Sequence, residues 1–252
     1  MMLDASLMLP LAFFLIAFIY SLVGFAGGSS YLLLLALAGV STAYIPQIAL
    51  ICNLVVSAVA FYHFKKNQDF RWKKALPFIA FSVPMAFFGA KIPLSHSWFC
   101  ALLAVALFCA AFRIFFSKPI GGAVDIETDP KKLMVVGLPI GAGIGFLSGL
   151  LGIGGGVFLA PILILMRWVS VKETAAIVSL FIFLNSLSGF VSRFGQGFAW
   201  RDEYFALILC ALMGGFLGSR VGSMQKWPRI YLERALALLL MYLSSTLFMK
   251  AF

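Results

Sequence analysis

Apolar residues fall in long blocks separated by short polar stretches. Blocks at about 5–25, 44–64, 73–92, 97–116, 132–151, 171–194, 203–222 and 231–250 each hold about twenty mostly apolar residues. That is the length an α-helix needs to cross a bilayer. Two shorter apolar runs, about 29–38 and 156–167, each follow a glycine cluster. They are too short to span comfortably and predict half-helices, either re-entrant or completing a tight hairpin. The longest polar segment, about 117–131, reads as a linker.

The blocks repeat. Val23-Gly24-Phe25-Ala26-Gly27-Gly28-Ser29 aligns with Leu151-Gly152-Ile153-Gly154-Gly155-Gly156-Val157. Phe88-Gly89-Ala90-Lys91-Ile92 aligns with Leu217-Gly218-Ser219-Arg220-Val221. The expected organisation is a first membrane repeat over 1–117, a cytoplasmic linker over 118–131 and a second repeat over 132–252. Basic residues decide how the repeats are related, because cytoplasmic ends of spans carry the excess of Lys and Arg. If each glycine cluster makes a hairpin, each half crosses an odd number of times and the halves are inverted. Fifteen of the nineteen basic residues then lie inside. Parallel halves would place only twelve there. The expectation is therefore an all-α polytopic membrane protein with two inverted repeats. It would hold about eight long transmembrane helices and two short helices after glycine-rich breaks.

Composition narrows the class. Of 252 residues, 63% are hydrophobic and 11% charged, against about a quarter charged in an ordinary soluble domain. A soluble fold of this length has too little interior for that much apolar surface. The net charge of +10 sits at the ends of apolar runs. It reads as topology and anionic-lipid contact rather than nucleic-acid binding. The four cysteines form no CxxC pair and the two histidines no HExxH motif, so no metal or cofactor is expected. The expected location is the cell (inner or plasma) membrane, crossed several times.

Candidate chemistry centres on the two glycine clusters. Gly27 and Gly28 in one half, and Gly154, Gly155 and Gly156 in the other, free backbone from regular helix. Broken helices at membrane depth are tolerated where they are buried in protein or line a polar cavity. The N-terminus of each following short helix offers N–H groups and partial positive charge to an anion. Ser29 and Ser30 add hydroxyls, and Asn53, Ser57, Ser179, Asn185 and Ser186 are polar residues within apolar runs. Lys91 and Arg220, at matched positions, are candidate oxyanion partners; each also suits snorkelling to lipid phosphate. Arg193 reads as a span-end anchor. Every acidic residue falls in a loop or near a span end, so no carboxylate proton relay is expected. Glycines at 137, 141, 145 and 149, and at 214, 218 and 222, form stripes along single helix faces and read as packing seams.

Gly152-Ile153-Gly154-Gly155-Gly156, followed by Phe158-Leu159-Ala160-Pro161-Ile162-Leu163, resembles the signature of the TauE/SafE sulfite exporter family. The run Glu173–Ser179 with Asn185, Ser186 and Gly189, and the later Gly218-Ser219-Arg220, also resemble that family. In the first half, Ala26 and Ser29 interrupt the glycine run. The resemblance implies a transporter of small sulfur-containing or organic anions, with sulfite or a short-chain organosulfonate the first expectation. It implies a small anionic substrate. The composition calls for a lipid bilayer, a proton or sodium is the candidate coupling ion, and the lack of a metal set, a nucleophile–base pair or a buried carboxylate pair argues against an enzyme. The glycine stripes also suit a homodimer contact. Another small anion as cargo, or a non-transporting scaffold subunit, are the alternatives.

Overall fold

A computed structural model describes residues 2–41, 43–67, 70–115, 129–166, 169–194 and 201–224. Among these residues there are nine helices and no strand. They are α1 (Met2–Ser21), α2 (Gly28–Leu37), α3 (Ile45–Lys66), α4 (Trp72–Ala90), α5 (His96–Phe115), α6 (Pro130–Leu151), α7 (Gly156–Met166), α8 (Val171–Phe194) and α9 (Asp202–Met224). Four of the described helical segments are long and apolar enough to cross a membrane: Ile45–Lys66, Lys131–Leu151, Glu173–Phe194 and Asp202–Met224. The expected span at 231–250 and most of the expected linker lie outside the described residues.

Local chemistry sets the helix ends. α6 begins at Pro130, inside the segment expected to be linker. Asp129 caps it by accepting a hydrogen bond from the Lys131 N–H at 3.0 Å, and proline suits the first helical position. α6 stops at Gly152, whose φ of 77° is left-handed. α1 ends at Ser21, four residues before the end of the expected run, because the chain turns through Leu22–Gly24. α8 starts with a side-chain cap: the Ser170 hydroxyl accepts the Glu173 N–H at 3.1 Å.

Two glycine seams hold the long helices together. On α6, a Cβ at Gly141, Gly145 or Gly149 would overlap the carbonyl oxygen of Phe78, Ser82 or Ala86 on α4. On α9, a Cβ at Gly214, Gly218 or Gly222 would overlap the carbonyl oxygen of Phe14, Phe18 or Leu22, the first two on α1 and the third in the turn after it. Lipid tails are as apolar as leucine, so helices in a bilayer associate through such close packing rather than through burial of apolar area. The outward faces carry exposed Phe81, Phe88, Val135 and Met213, as a lipid-facing surface would.

The contacts are reciprocal between the halves. Gly89 presses on Phe146, and Gly218 presses on Phe18. Gly24 presses on Ala175, and Gly152 presses on Pro46. In each pair the second contact exchanges the roles of the two halves. α3 and α8 pack against each other at the centre, with α2 beside α3 and α7 beside α8.

One ion pair joins the halves at the N-terminal ends of α4 and α8. Arg71 Nε meets Glu173 Oε1 at 3.0 Å and its Nη2 meets Oε2 at 2.6 Å. The Glu173 side chain is 4% exposed and that of Arg71 43%. The asymmetry predicts unequal mutants. Arg71→Gln strands a buried carboxylate and should cost about 1.5–3 kcal/mol of stability. Glu173→Gln leaves a cation that water already reaches and should cost less. Thermal inactivation of the purified variants in detergent checks the order; equal losses would refute it.

Candidate functional site

The two glycine breaks meet at Asn53. Gly24 and Gly27 both have φ of 91°, while Gly154 and Gly155 have φ of 85° and 79°. Side-chain-bearing L-residues are strained there, so glycine is required by conformation as well as by space. A Cβ at Gly28 would fall 2.6 Å from the Ile153 carbonyl oxygen and 2.7 Å from Asn53 Oδ1. A Cβ at Gly154 would fall 2.9 Å from Asn53 Nδ2 and 3.1 Å from Ser186 Oγ. Thus the first residue of α2, the turn before α7, α3 through Asn53 and α8 through Ser186 converge on one small volume.

Asn53 ties this point together. Its Nδ2 donates to the Ile153 carbonyl at 3.0 Å, which fixes the orientation of the amide. Its Oδ1 is buried with no hydrogen-bond partner, and so is Ser186 Oγ. Both residues are fully buried. Most buried polar atoms in folded proteins are paired, and an unpaired one costs about 1–3 kcal/mol. An orphaned acceptor and an orphaned hydroxyl at one point are the arrangement a polar ligand would satisfy. The N-terminal ends of α2 and α7 border the same point. α2 follows a left-handed Gly27 and has no side-chain cap, so the first-turn N–H groups are not consumed by one.

The other expected residues separate into groups. Ser29 and Ser30 lie in the first turn of α2. Ser30 Oγ is 2.8 Å from the Tyr20 hydroxyl, whereas the Ser29 hydroxyl is buried and unpaired. Ser57 donates to the Asn53 carbonyl one turn back on its own helix, at 2.5 Å, so its hydroxyl proton is committed. Ser179 shares its proton between the Ala175 carbonyl at 2.6 Å and the Gly24 carbonyl at 2.9 Å, bracing the first break from the opposite half. Asn185 donates to the Phe181 carbonyl at 3.0 Å and leaves Oδ1 unpaired. Gly155 and Gly156 pack against Phe181 and Ile182 respectively.

The structure does not bring Lys91 and Arg220 to this cluster. Lys91 is exposed and sits over the Phe87 ring, its ammonium 4.6 Å from the centroid. Arg220 is exposed near the C-terminal end of α9. Charge does reach the second break by another route. Arg193 turns inward, and its Nη2 donates to the Gly149 and Leu150 carbonyls, each at 3.0 Å. It caps the C-terminal end of α6, where a cation complements the helix dipole.

Sequence reasoning missed Ser148 and Tyr31. Ser148 is fully buried on α6 with an unpaired hydroxyl, and its Cβ would meet a Cβ at Gly155 at 3.2 Å. Its signal was a lone hydroxyl between Gly145 and Gly149 on a glycine-rich seam. Tyr31 stacks on Phe13, with centroids 4.6 Å apart, and its buried hydroxyl is unpaired. A tyrosine following two serines in a short apolar helix was the visible cue. Among the described residues no group of three or more His, Cys, Asp or Glu is placed to hold a metal.

Comparison with known proteins covers nearly the whole chain. The family model described as "Sulfite exporter TauE/SafE" matches residues 9–247. A probable membrane transporter protein of Sinorhizobium fredii is 31% identical over 228 residues, covering 89% of this chain and 92% of that protein. A probable membrane transporter protein of Bacillus subtilis is 28% identical over 247 residues, covering 87% of this chain and 89% of the relative. No solved structure matches.

Proposed function

The chain belongs to the TauE/SafE sulfite exporter family of membrane transporters, and from that premise we propose that it carries a small sulfur-containing anion across the cell membrane. Sulfite or a short-chain organosulfonate is the proposed cargo, and alternating access between two inverted repeats the proposed mechanism. The observation that carries the reading is the buried point where both glycine breaks meet Asn53 and Ser186. The two helix N-termini supply positive potential to a bound anion, while the Arg193 cation beside the second break is held by the Gly149 and Leu150 carbonyls. The Ser186 hydroxyl donates to an anion oxygen. Asn53 Oδ1 accepts, so it favours a cargo that itself carries a proton, such as hydrogensulfite or an aminosulfonate.

The reciprocal cross-half contacts suit a rocking motion. Asn53 of the first half braces the second break, and Ser179 of the second half braces the first. Moving one repeat against the other would loosen one brace while the other holds. All the polar groups at the meeting point are buried, as an occluded state requires.

The test is flux into proteoliposomes containing only the purified chain. Sulfite, sulfate and short sulfonates are offered with and without proton and sodium gradients. Saturable uptake selective for a sulfur anion is expected, and its gradient dependence identifies the coupling ion. Ser186→Ala is the sharpest variant. Removing an unpaired buried hydroxyl should leave thermal stability unchanged or raise it by about 1 kcal/mol. The same change should weaken transport about tenfold. Stability and flux that fall together would make Ser186 a packing residue, and absence of flux from the folded wild type would overturn the cargo assignment.

A further inference from the structure

A second polar site lies away from the glycine breaks, between the C-terminal ends of α3 and α9. A cleft of about 280 Å³ there is lined by residues that include Tyr62, His63, Lys66, Asn67 and Arg220. Among the described residues that line it, none is acidic. Lys66 and Arg220 are both exposed. The neighbouring Lys65 is engaged elsewhere, its ammonium 5.6 Å from the Phe61 ring centroid and 5.4 Å from that of Trp72.

The state of His63 follows from its neighbours. Its Nδ1 is 2.8 Å from Ser219 Oγ. Ser219 Oγ is in turn 2.6 Å from the Gly215 carbonyl, which has no proton to give. The serine proton therefore goes to that carbonyl, and His63 Nδ1–H donates to the serine oxygen. This fixes the tautomer and leaves Nε2 for the cleft that His63 lines. Neutral His63 presents a lone pair there; protonated His63 presents an N–H. Among the described residues, the other titratable or charged groups lining the cleft are Lys66 and Tyr62 on α3 and Arg220 on α9. Phe216, Ser223 and Met224 are the other α9 residues that line it, and the Phe216 ring centroid is 5.1 Å from that of His63.

We propose that this cleft is a proton-linked binding site for a tetrahedral oxyanion, held by Lys66, Arg220 and the protonated form of His63. Two cations attract the anion, and Arg220 presents a planar fork suited to two of its oxygens. The unprotonated Nε2 lone pair opposes an anion oxygen, while Nε2–H donates to it. Anion and proton therefore bind with positive coupling, and each raises affinity for the other by the same factor. The site is separate from the buried cluster and does not depend on the identity of the transported cargo. Its ligand is either a free oxyanion such as sulfate or the phosphate of an anionic lipid headgroup.

The experiment uses the full chain in phosphatidylcholine nanodiscs, titrated with sulfate in weakly buffered solution containing a pH indicator. Near neutral pH, sulfate binding should be accompanied by uptake of up to about one proton per anion. His63→Gln should bind sulfate without that uptake. Lys66→Gln combined with Arg220→Gln should weaken sulfate binding about tenfold or more, as loss of charged hydrogen bonds does. Nanodiscs containing phosphatidylglycerol separate the two sources. If the headgroup is the occupant, that lipid competes with sulfate and stabilises the wild type but not the double variant. If the free anion is the occupant, phosphatidylglycerol has no effect on sulfate affinity beyond that of salt. Proton uptake that survives His63→Gln overturns the linkage, and sulfate and lipid responses that survive the double variant overturn the site. Because both basic side chains are exposed, the double variant decides the matter even if His63→Gln fails to fold.

Discussion

Leucine in place of Gly149 or Gly218 should leave no folded transporter, while leucine at Gly143 should have little effect. At Gly149 even a Cβ would overlap the Ala86 carbonyl oxygen on α4, and at Gly218 it would overlap that of Phe18 on α1. The obstructing atoms are backbone, so no rotamer change relieves them. Whole helices must part, and with them the dispersion contacts that hold a bundle together in lipid. Ordinary overpacking costs about 1–3 kcal/mol, and separation along a seam exceeds it. Gly143 lies on the same helix as Gly149, but nothing stands within 4 Å of a Cβ there. The control therefore holds helix propensity, hydrophobicity and membrane insertion nearly constant. Size-exclusion chromatography of the three detergent-purified variants reads the outcome. A monodisperse Gly149→Leu protein with wild-type thermal stability would refute the seam.

Those seams were legible because glycine every fourth residue has a consequence that does not depend on its neighbours. It makes one helix face smooth, and something must lie close to that face. The helix boundaries were legible for a similar reason, since the bilayer imposes one length on every span. Residues 44–64 and 171–194 became α3 and α8 with shifts of at most two residues. The fate of single polar residues was not legible. Ser57, Ser179 and Ser186 look alike in sequence. Two of them turn back to carbonyls on their own helices and the third does not. That choice depends on rotamer and on the helix opposite, neither of which spacing encodes. Arg193 likewise resembled a membrane-surface anchor, and only the end of α6 beside it reveals why it turns inward. The pairing of His63 with Ser219 joins residues 156 positions apart, beyond the reach of any local pattern.

Asn53 is where fold and proposed function are hardest to separate, and Ser57 separates them. Both are polar, fully or almost fully buried, and one turn apart on α3. Ser57 has its proton committed to the Asn53 carbonyl, and Ser57→Ala removes a bond that an α-helix does not need. Flux should stay within about twofold of wild type, with a stability change within the roughly 0.5–1.5 kcal/mol of an ordinary hydrogen bond. Asn53→Ala removes the bond to the Ile153 carbonyl at the second break and the Oδ1 that faces the meeting point. A buried carbonyl left without its donor costs about 1–3 kcal/mol, so some loss of stability is expected on structural grounds alone. Asn53→Asp divides the two roles further. It keeps the shape and an acceptor but sets negative charge against a carbonyl oxygen and against any incoming anion. Transport should fall at least about tenfold in Asn53→Ala, since one or two hydrogen bonds at the anion are lost, and should be undetectable in Asn53→Asp. Affinity and turnover are measured together in proteoliposomes at matched protein orientation. If Asn53→Ala and Ser57→Ala impair transport equally, Asn53 only supports the second break and the anion binds elsewhere.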